Sequence, residues 1–124
     1  MSKSSPRPKS DPDPRRALGA RGESAAAQWY EARGFVVVDR NWRRREGEID
    51  LVVQRGRLLV FCEVKARSSA RFGMPFEAVT RAKQLRLRRL AALWLAEHVA
   101  RGLELRFDVA SVSGATVNVI EAAF

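Results

Sequence analysis

Apolar positions along this chain follow two different periods. From Leu18 to Arg33, the residues Ala25, Ala26, Ala27, Trp29 and Ala32 favour a helix, and Gly34 ends it from just beyond its last turn. Phe35-Val36-Val37-Val38 is a short β-branched run and predicts a first strand. Asn41 to Gly47 is polar and basic and reads as a connection. A second strand is predicted from about Glu48 to Gln54, and the Arg55-Gly56 turn leads to a third, about Arg57 to Lys65. The unbroken apolar run Leu58 to Cys62 predicts a strand covered on both faces. Ala66 to Pro75 reads as a loop, and a long helix follows from about Phe76 to Ala100, ended by Gly102. Leu103 to Ser113 and Thr116 to Ile120 are strands, joined at Gly114. The order is α-β-β-β-α-β-β. It predicts an α/β fold, with a mixed sheet of four to five strands flanked by two helices.

Composition sharpens this outline. Residues 1–16 are Ser, Pro, Lys, Arg and Asp with almost no apolar content, so a disordered basic tail is expected before one domain over residues 17–124. Hydrophobic residues are 46% of the 124, enough for one packed core. The formal net charge of +9 predicts attraction to polyanions, nucleic acid before an anionic membrane surface. Cys62 is the single cysteine, which excludes an intrachain disulfide and a cysteine-based zinc site, and its apolar setting predicts a buried thiol. No apolar stretch reaches the roughly 20 residues of a membrane span, and the N-terminus has no secretory apolar stretch. The expected location is the cytoplasm.

The chemistry concentrates where the second and third strands are polar. Alternation puts Glu63 and Lys65 on one face of their strand. If the hairpin turn has two residues, Asp50 shares that face and converges on Glu63; a three-residue turn would send it to the other side. Carboxylates this close repel, and one stays protonated near neutral pH without a cation. Mg²⁺ or Mn²⁺ removes that penalty, takes oxygen ligands and still leaves room for phosphate oxygens. Such an ion activates water and offsets the charge of a phosphodiester. Lys65 suits positioning or deprotonating that water, or steadying the phosphate.

Taken together, Glu23 on the first helix, Asp50, and Glu63-x-Lys65 on the next strand resemble the PD-(D/E)xK nuclease superfamily, and within it the archaeal Holliday-junction resolvases. Ile49 stands where the superfamily motif has Pro. A narrower resemblance, to the YraN-type (UPF0102) family of small bacterial proteins, covers about Leu18 to Val112. It rests on Gly22-Glu23, Gly34-Phe35, Asn41-Trp42-Arg43, Gly47-Glu48-Ile49-Asp50-Leu51, Val60 through Arg67, Ala78-Val79, Lys83 and Arg106-Phe107-Asp108-Val109. The resemblance implies a restriction-endonuclease-like sheet and a metal-dependent endonuclease cutting DNA, on branched or flapped structures. It implies Asp50, Glu63 and the carbonyl of Val64 as metal ligands, Glu23 as the acidic residue reaching in from the helix, and Lys65 as the catalytic lysine. Because resolvases pair across a two-fold junction, it also raises a homodimer.

Basic residues supply candidate contacts to nucleic acid, DNA before RNA: Arg43, Arg44 and Arg45 beside the second strand, Arg67 and Arg71 after the third, and Lys83 and Arg86 on the long helix. On that helix, Val79, Ala82, Leu90 and Leu93 form an expected buried stripe beside Lys83 and Arg86. Arg81, Gln84 and Arg88 lie on the other face, either solvated or along a DNA backbone. Trp42 is either core or a stacking platform for an unpaired base. His98, Trp94 and Phe107 read as structural, and Asp108 either faces the sheet end or caps it. Nothing reads base edges, so recognition by shape and backbone is expected. The alternative reading is a non-catalytic nucleic-acid-binding protein that retains the nuclease fold. Metal dependence separates the two.

Overall fold

Leu59, Val60, Phe61 and Cys62 are fully buried because both faces of their strand are covered. A computed structural model describes residues 13–67 and 79–124. The elements are α1 (Pro14–Glu31), β1 (Val36–Arg44), β2 (Gly47–Arg55), β3 (Leu58–Arg67), α2 (Arg81–Glu97), β4 (Glu104–Ser113) and β5 (Thr116–Ile120). The order is the one the sequence predicts. The strands form one five-stranded sheet in the order β1-β2-β3-β4-β5. Only β3 and β4 run parallel, which the α2 crossover between them makes possible.

Alternation along β3 divides the core. Val60 and Cys62 face α1 and pack with Ala26, Ala27, Tyr30, Leu51, Val53, Ala110 and Val112. Leu59 and Phe61 face α2 and pack with Trp42, Ile49, Leu87, Leu90, Ala91, Trp94 and Phe107. The result is a helix–sheet–helix sandwich. Glu63 and Lys65 continue the α2-facing row of β3, and Val64 continues the α1-facing row.

Several boundaries move from their expected places, each for a local reason. Helix α1 starts at Pro14, inside the expected tail. Asp13 accepts a hydrogen bond from the Arg15 amide, and proline suits the first helical position. Strand β1 extends to Arg44 through residues expected to be a connection, because its backbone pairs with β2 as far as Arg44↔Gly47. It is an edge strand, so its outward residues can be polar. Helix α2 begins at Arg81, where the Thr80 side chain accepts from the Lys83 amide, and ends at Glu97. Its buried stripe is Leu87, Leu90, Ala91 and Trp94; of the expected stripe, Leu90 belongs to it, Val79 is buried just before the helix and Leu93 packs partly buried beside it, whereas Ala82 does not. Ala82, Lys83 and Arg86 are exposed. The tail through residue 12, Arg71, and the start expected for α2 at 76–78 lie outside the described residues.

Asp108 neither faces the sheet end nor caps it: it is fully buried. The Tyr30 hydroxyl donates to it at 2.6 Å, Arg106 donates two hydrogen bonds at 2.9 and 3.0 Å, and the Ala122 amide donates at 3.1 Å. A buried carboxylate needs such partners, and these tie α1, β4 and the C-terminal segment together.

Candidate metal centre

Strands β2 and β3 pair from Arg55↔Leu58 to Leu51↔Cys62 and then part. The turn between them is the two residues Gly56 and Arg57, so the condition for Asp50 to approach Glu63 is met. Asp50 does not continue the ladder. Its Oδ2 accepts a hydrogen bond from the Val64 amide at 2.8 Å, across the opening. The N–H and C=O of one strand residue point to the same side, so the Val64 carbonyl also borders this opening.

The other flank is distorted too. Asn41 has a φ of +51°, a left-handed conformation that asparagine tolerates better than most residues. The β1–β2 register passes from Arg40↔Leu51 to Trp42↔Ile49 without an Asn41–Asp50 pair. Beyond that break the faces exchange. Ile49 packs on the α2 side although Leu51, two residues on, packs on the α1 side.

Into this opening the chain gathers acid. One carboxylate oxygen from each of Glu23, Glu48 and Asp50 lies within 4.8 Å of the others. Burial drives the Asp50 carboxyl up to about 7, and the charges of Glu63, Glu23 and Glu48 add to it, against the lowering effect of the Val64 amide. Glu23 is also raised, chiefly by burial; a hydrogen bond with the Asn41 side chain opposes the rise, and Glu48 adds to it. Glu63 and Lys65 stand together on β3, with 3.9 Å between Nζ and Oε2, and neither side chain is more than 25% exposed. Glu23 reaches the site because α1 lies very close to β3. A Cβ on Gly22 would sit 2.8 Å from the Ala66 Cβ.

The donor set can be tested against a divalent cation. It is made of carboxylate oxygens with no sulfur or imidazole, the chemistry of Mg²⁺ or Mn²⁺. Oxygens on opposite sides of Mg²⁺ are about 4.2 Å apart, so a spread of 4.8 Å needs only small side-chain rotations. A half-buried Asp50 whose carboxyl is held up near 7 is the electrostatic counterpart of such a site. The residues fit the ion.

Of the predicted site residues, Glu23 and Asp50 come together directly, and Glu63 is near enough for its charge to act on Asp50. Glu48 completes the tight cluster and was not among them. Its signal was its place two residues before Asp50 on a strand, hence on the same face. Asn41, the partner of Glu23, left no such signal, because a positive φ is not written in the pattern.

The basic residues separate. Arg43 pairs with Glu48 at 3.4 Å and lines an open cleft of about 510 Å³ with Arg16, Glu23 and Asn41. Arg44 is held by both oxygens of Glu97 and lies 4.2 Å above the Trp42 ring, so it ties β1 to the end of α2. Trp42 itself is buried core rather than a stacking platform. Arg45 is exposed in the β1–β2 turn. Toward the N-terminal end of α2, Arg86 lies against Gly47, where a Cβ would come within 3.2 Å of its Cδ, and Lys83 is exposed one turn earlier. Arg67 ends β3, two residues past Lys65. Arg88 covers Phe107 at 4.7 Å. His98 stacks on Trp94 at 3.9 Å between centroids and is structural.

The family described as "Uncharacterised protein family UPF0102" matches residues 22–112. A UPF0102 protein of Beutenbergia cavernae is 60% identical over 96 residues, spanning 77% of this chain and 81% of that one. One from Frankia casuarinae is 58% identical over 97 residues, 78% of this chain and 82% of that one. One from Leifsonia xyli is 48% identical over 98 residues, 79% and 83% of the two chains. Glu23, Asn41, Glu48, Asp50, Glu63 and Lys65 all fall within the matched segment, and the chain belongs to the UPF0102 family.

Proposed function

We propose that this protein is a nuclease dependent on a divalent cation, Mg²⁺ or Mn²⁺, that hydrolyses phosphodiesters of DNA in preference to RNA, on branched or flapped structures. One observation carries the reading. Half-buried Asp50 gathers Glu23 and Glu48 within 4.8 Å at the parting of two strands, with Glu63 and Lys65 beside it. A structural ion pair needs no such crowding of like charge, whereas a cation held against a phosphate does.

Glu23, Glu48, Asp50 and Glu63, with the carbonyl of Val64, would hold the ion, which supplies charge neutralisation and activation of water when bound. Lys65, only 16% exposed, positions the attacking water and receives or relays its proton. The water oxygen bonds to phosphorus, the bond to the leaving oxygen breaks, and that oxygen is protonated. Arg43, Arg45, Arg67, Lys83 and Arg86 border the same end of the sheet and attract the backbone without reading bases. Among the described residues no helix is long and apolar enough to cross a membrane. Action on DNA places the protein in the cytoplasm.

The test uses fluorescent single-stranded, duplex, flapped and four-way-junction DNA, and RNA counterparts, in Mg²⁺, Mn²⁺ or EDTA. A Glu63→Ala/Lys65→Ala double variant runs alongside. Metal-dependent cutting that vanishes in the variant is expected. Salt-sensitive binding with no cutting, unchanged in EDTA and in the variant, would refute catalysis and leave a nucleic-acid-binding protein.

A further inference from the structure

We propose that a second pocket, on the α1 side of the sheet, seats one unpaired nucleotide next to the phosphodiester held at Asp50. The inference rests on the nucleic-acid reading above and adds a substrate requirement to it. The pocket has a volume of about 360 Å³ and is lined by Leu18, Arg21, Gly22, Ala66, Arg67 and Val112, with the β4–β5 turn at its rim. That volume suits a small ligand rather than a duplex.

Its lining differs in kind from that of the acidic cleft. The cleft beside the metal centre is walled by Glu23 and Glu48, whereas among the described residues none lining this pocket is acidic. Leu18, Gly22, Ala66 and Val112 offer an apolar bed, and two arginines stand at it. Apolar walls with guanidinium groups match a base and its phosphate, because guanidinium planes both stack on bases and pair with phosphate. An acidic or neutral apolar ligand lacks one half of this match.

Position makes the link to the site. Gly22 precedes Glu23 in α1, and Ala66 follows Val64 by two residues on the same face of β3. At about 3.3 Å per residue, the pocket floor is about 7 Å from the Val64 amide that anchors Asp50. This is the reach of an adjacent nucleotide. A base lying in the pocket cannot remain stacked and paired in a duplex, so a substrate must present an unpaired nucleotide beside the scissile bond or have one extruded.

The test begins in EDTA, so that binding is read without turnover. The full-length protein is titrated with an eight-nucleotide fluorescent single strand, and with strands carrying one abasic position each. Wild type, Leu18→Trp, which fills the pocket, and Leu18→Ala, which keeps helix propensity while removing the wall, are compared. Loss of one base at a single position is expected to weaken wild-type binding roughly tenfold. Leu18→Trp is expected to weaken the intact strand similarly and to leave that abasic strand unchanged. If Leu18→Trp fails to fold, Leu18→Ala carries the comparison, with a several-fold loss expected for the intact strand only. Equal affinity of all variants for intact and abasic strands overturns the pocket. Repeating the series as cleavage in Mg²⁺ separates the two ideas. Metal-dependent cutting indifferent to Leu18 sinks the pocket and leaves the nuclease. Leu18-dependent strand binding without cutting sinks the nuclease and leaves a nucleotide pocket.

Discussion

Replacing Asp50 by Asn should make the metal-free protein more stable at alkaline pH. Asp50 is moved from 3.8 to about 7, first by burial and then by Glu63, Glu23 and Glu48. Between those two values the native state binds a proton that the unfolded chain has released. Stability from this group is therefore complete below about pH 4, falls as pH rises, and is lost above about pH 7. Three units at about 1.4 kcal/mol each give about 4 kcal/mol as an upper figure. Asp50 is not fully buried, and its neighbours can rotate away, so about 2–4 kcal/mol is expected. Asn has the same shape, still accepts from the Val64 amide, and never carries the charge.

The assay is urea unfolding in EDTA from pH 4 to pH 8.5, followed by the fluorescence of buried Trp42 and Trp94. Asp50→Asn should exceed wild type by about 2–4 kcal/mol at pH 8 and match it near pH 4. Taking the difference between the two proteins removes the pH dependence of every group they share. Saturating Mn²⁺ should then raise wild type and leave the variant unmoved, since a ligand of the native state stabilises by mass action. A variant less stable than wild type at pH 8 would refute the reasoning. So would a difference between them that does not change with pH.

Three further outcomes are expected. Gly22→Ala should lower stability by about 1–3 kcal/mol, because its Cβ would press on Ala66, while Gly19→Ala, with nothing within 4 Å, should raise it by about 0.5–1 kcal/mol; paired denaturation curves check both. Tyr30→Phe removes a 2.6 Å hydrogen bond to the buried Asp108 carboxylate and should cost about 1.5–3 kcal/mol, read by the same curves. The Cys62 thiol is held protonated by burial first, with the Asp108 and Asp50 charges adding to it, so an aromatic disulfide reagent should label it only as the protein unfolds; prompt labelling of the native protein would contradict its position.

The sheet was legible because burial wrote it in runs. Leu58 to Cys62 suggested a strand covered twice, and the Arg55-Gly56 signal marked the hairpin beside it, one residue before its turn at Gly56 and Arg57. The first strand was read short because a strand at a sheet edge needs one apolar face at most. Arg40, Arg43 and Arg44 then look like a loop although their backbone is paired. Of the site, Asp50, Glu63 and Lys65 were visible through strand alternation, and Glu23 only through resemblance. Glu48 was missed, although its place two residues before Asp50 on the strand puts it on the same face. It also pairs with Arg43 at 3.4 Å.

The break in the ladder explains why these residues meet at all. Had β1, β2 and β3 stayed regular, Asp50 would lie opposite Glu63 with its backbone groups paired to one neighbouring strand, and the Val64 amide would have no need of a side chain. The left-handed turn of Asn41 and the missing Asn41–Asp50 pair release β2 just where the acids lie. The same turn sends Trp42 and Ile49 to the α2 core, which anchors the far side of the distortion with apolar burial. Gly22 brings α1 in from the opposite face, so Glu23 enters the gap that the strands leave. Crowding three carboxylates raises Asp50 and opposes folding, and the packing of Trp42, Ile49 and Gly22 holds the arrangement against that repulsion. Strain and like charge sustained in this way mark a place where stability has yielded to a task. Under the proposed function that task is the binding of a cation, which would relieve the charge.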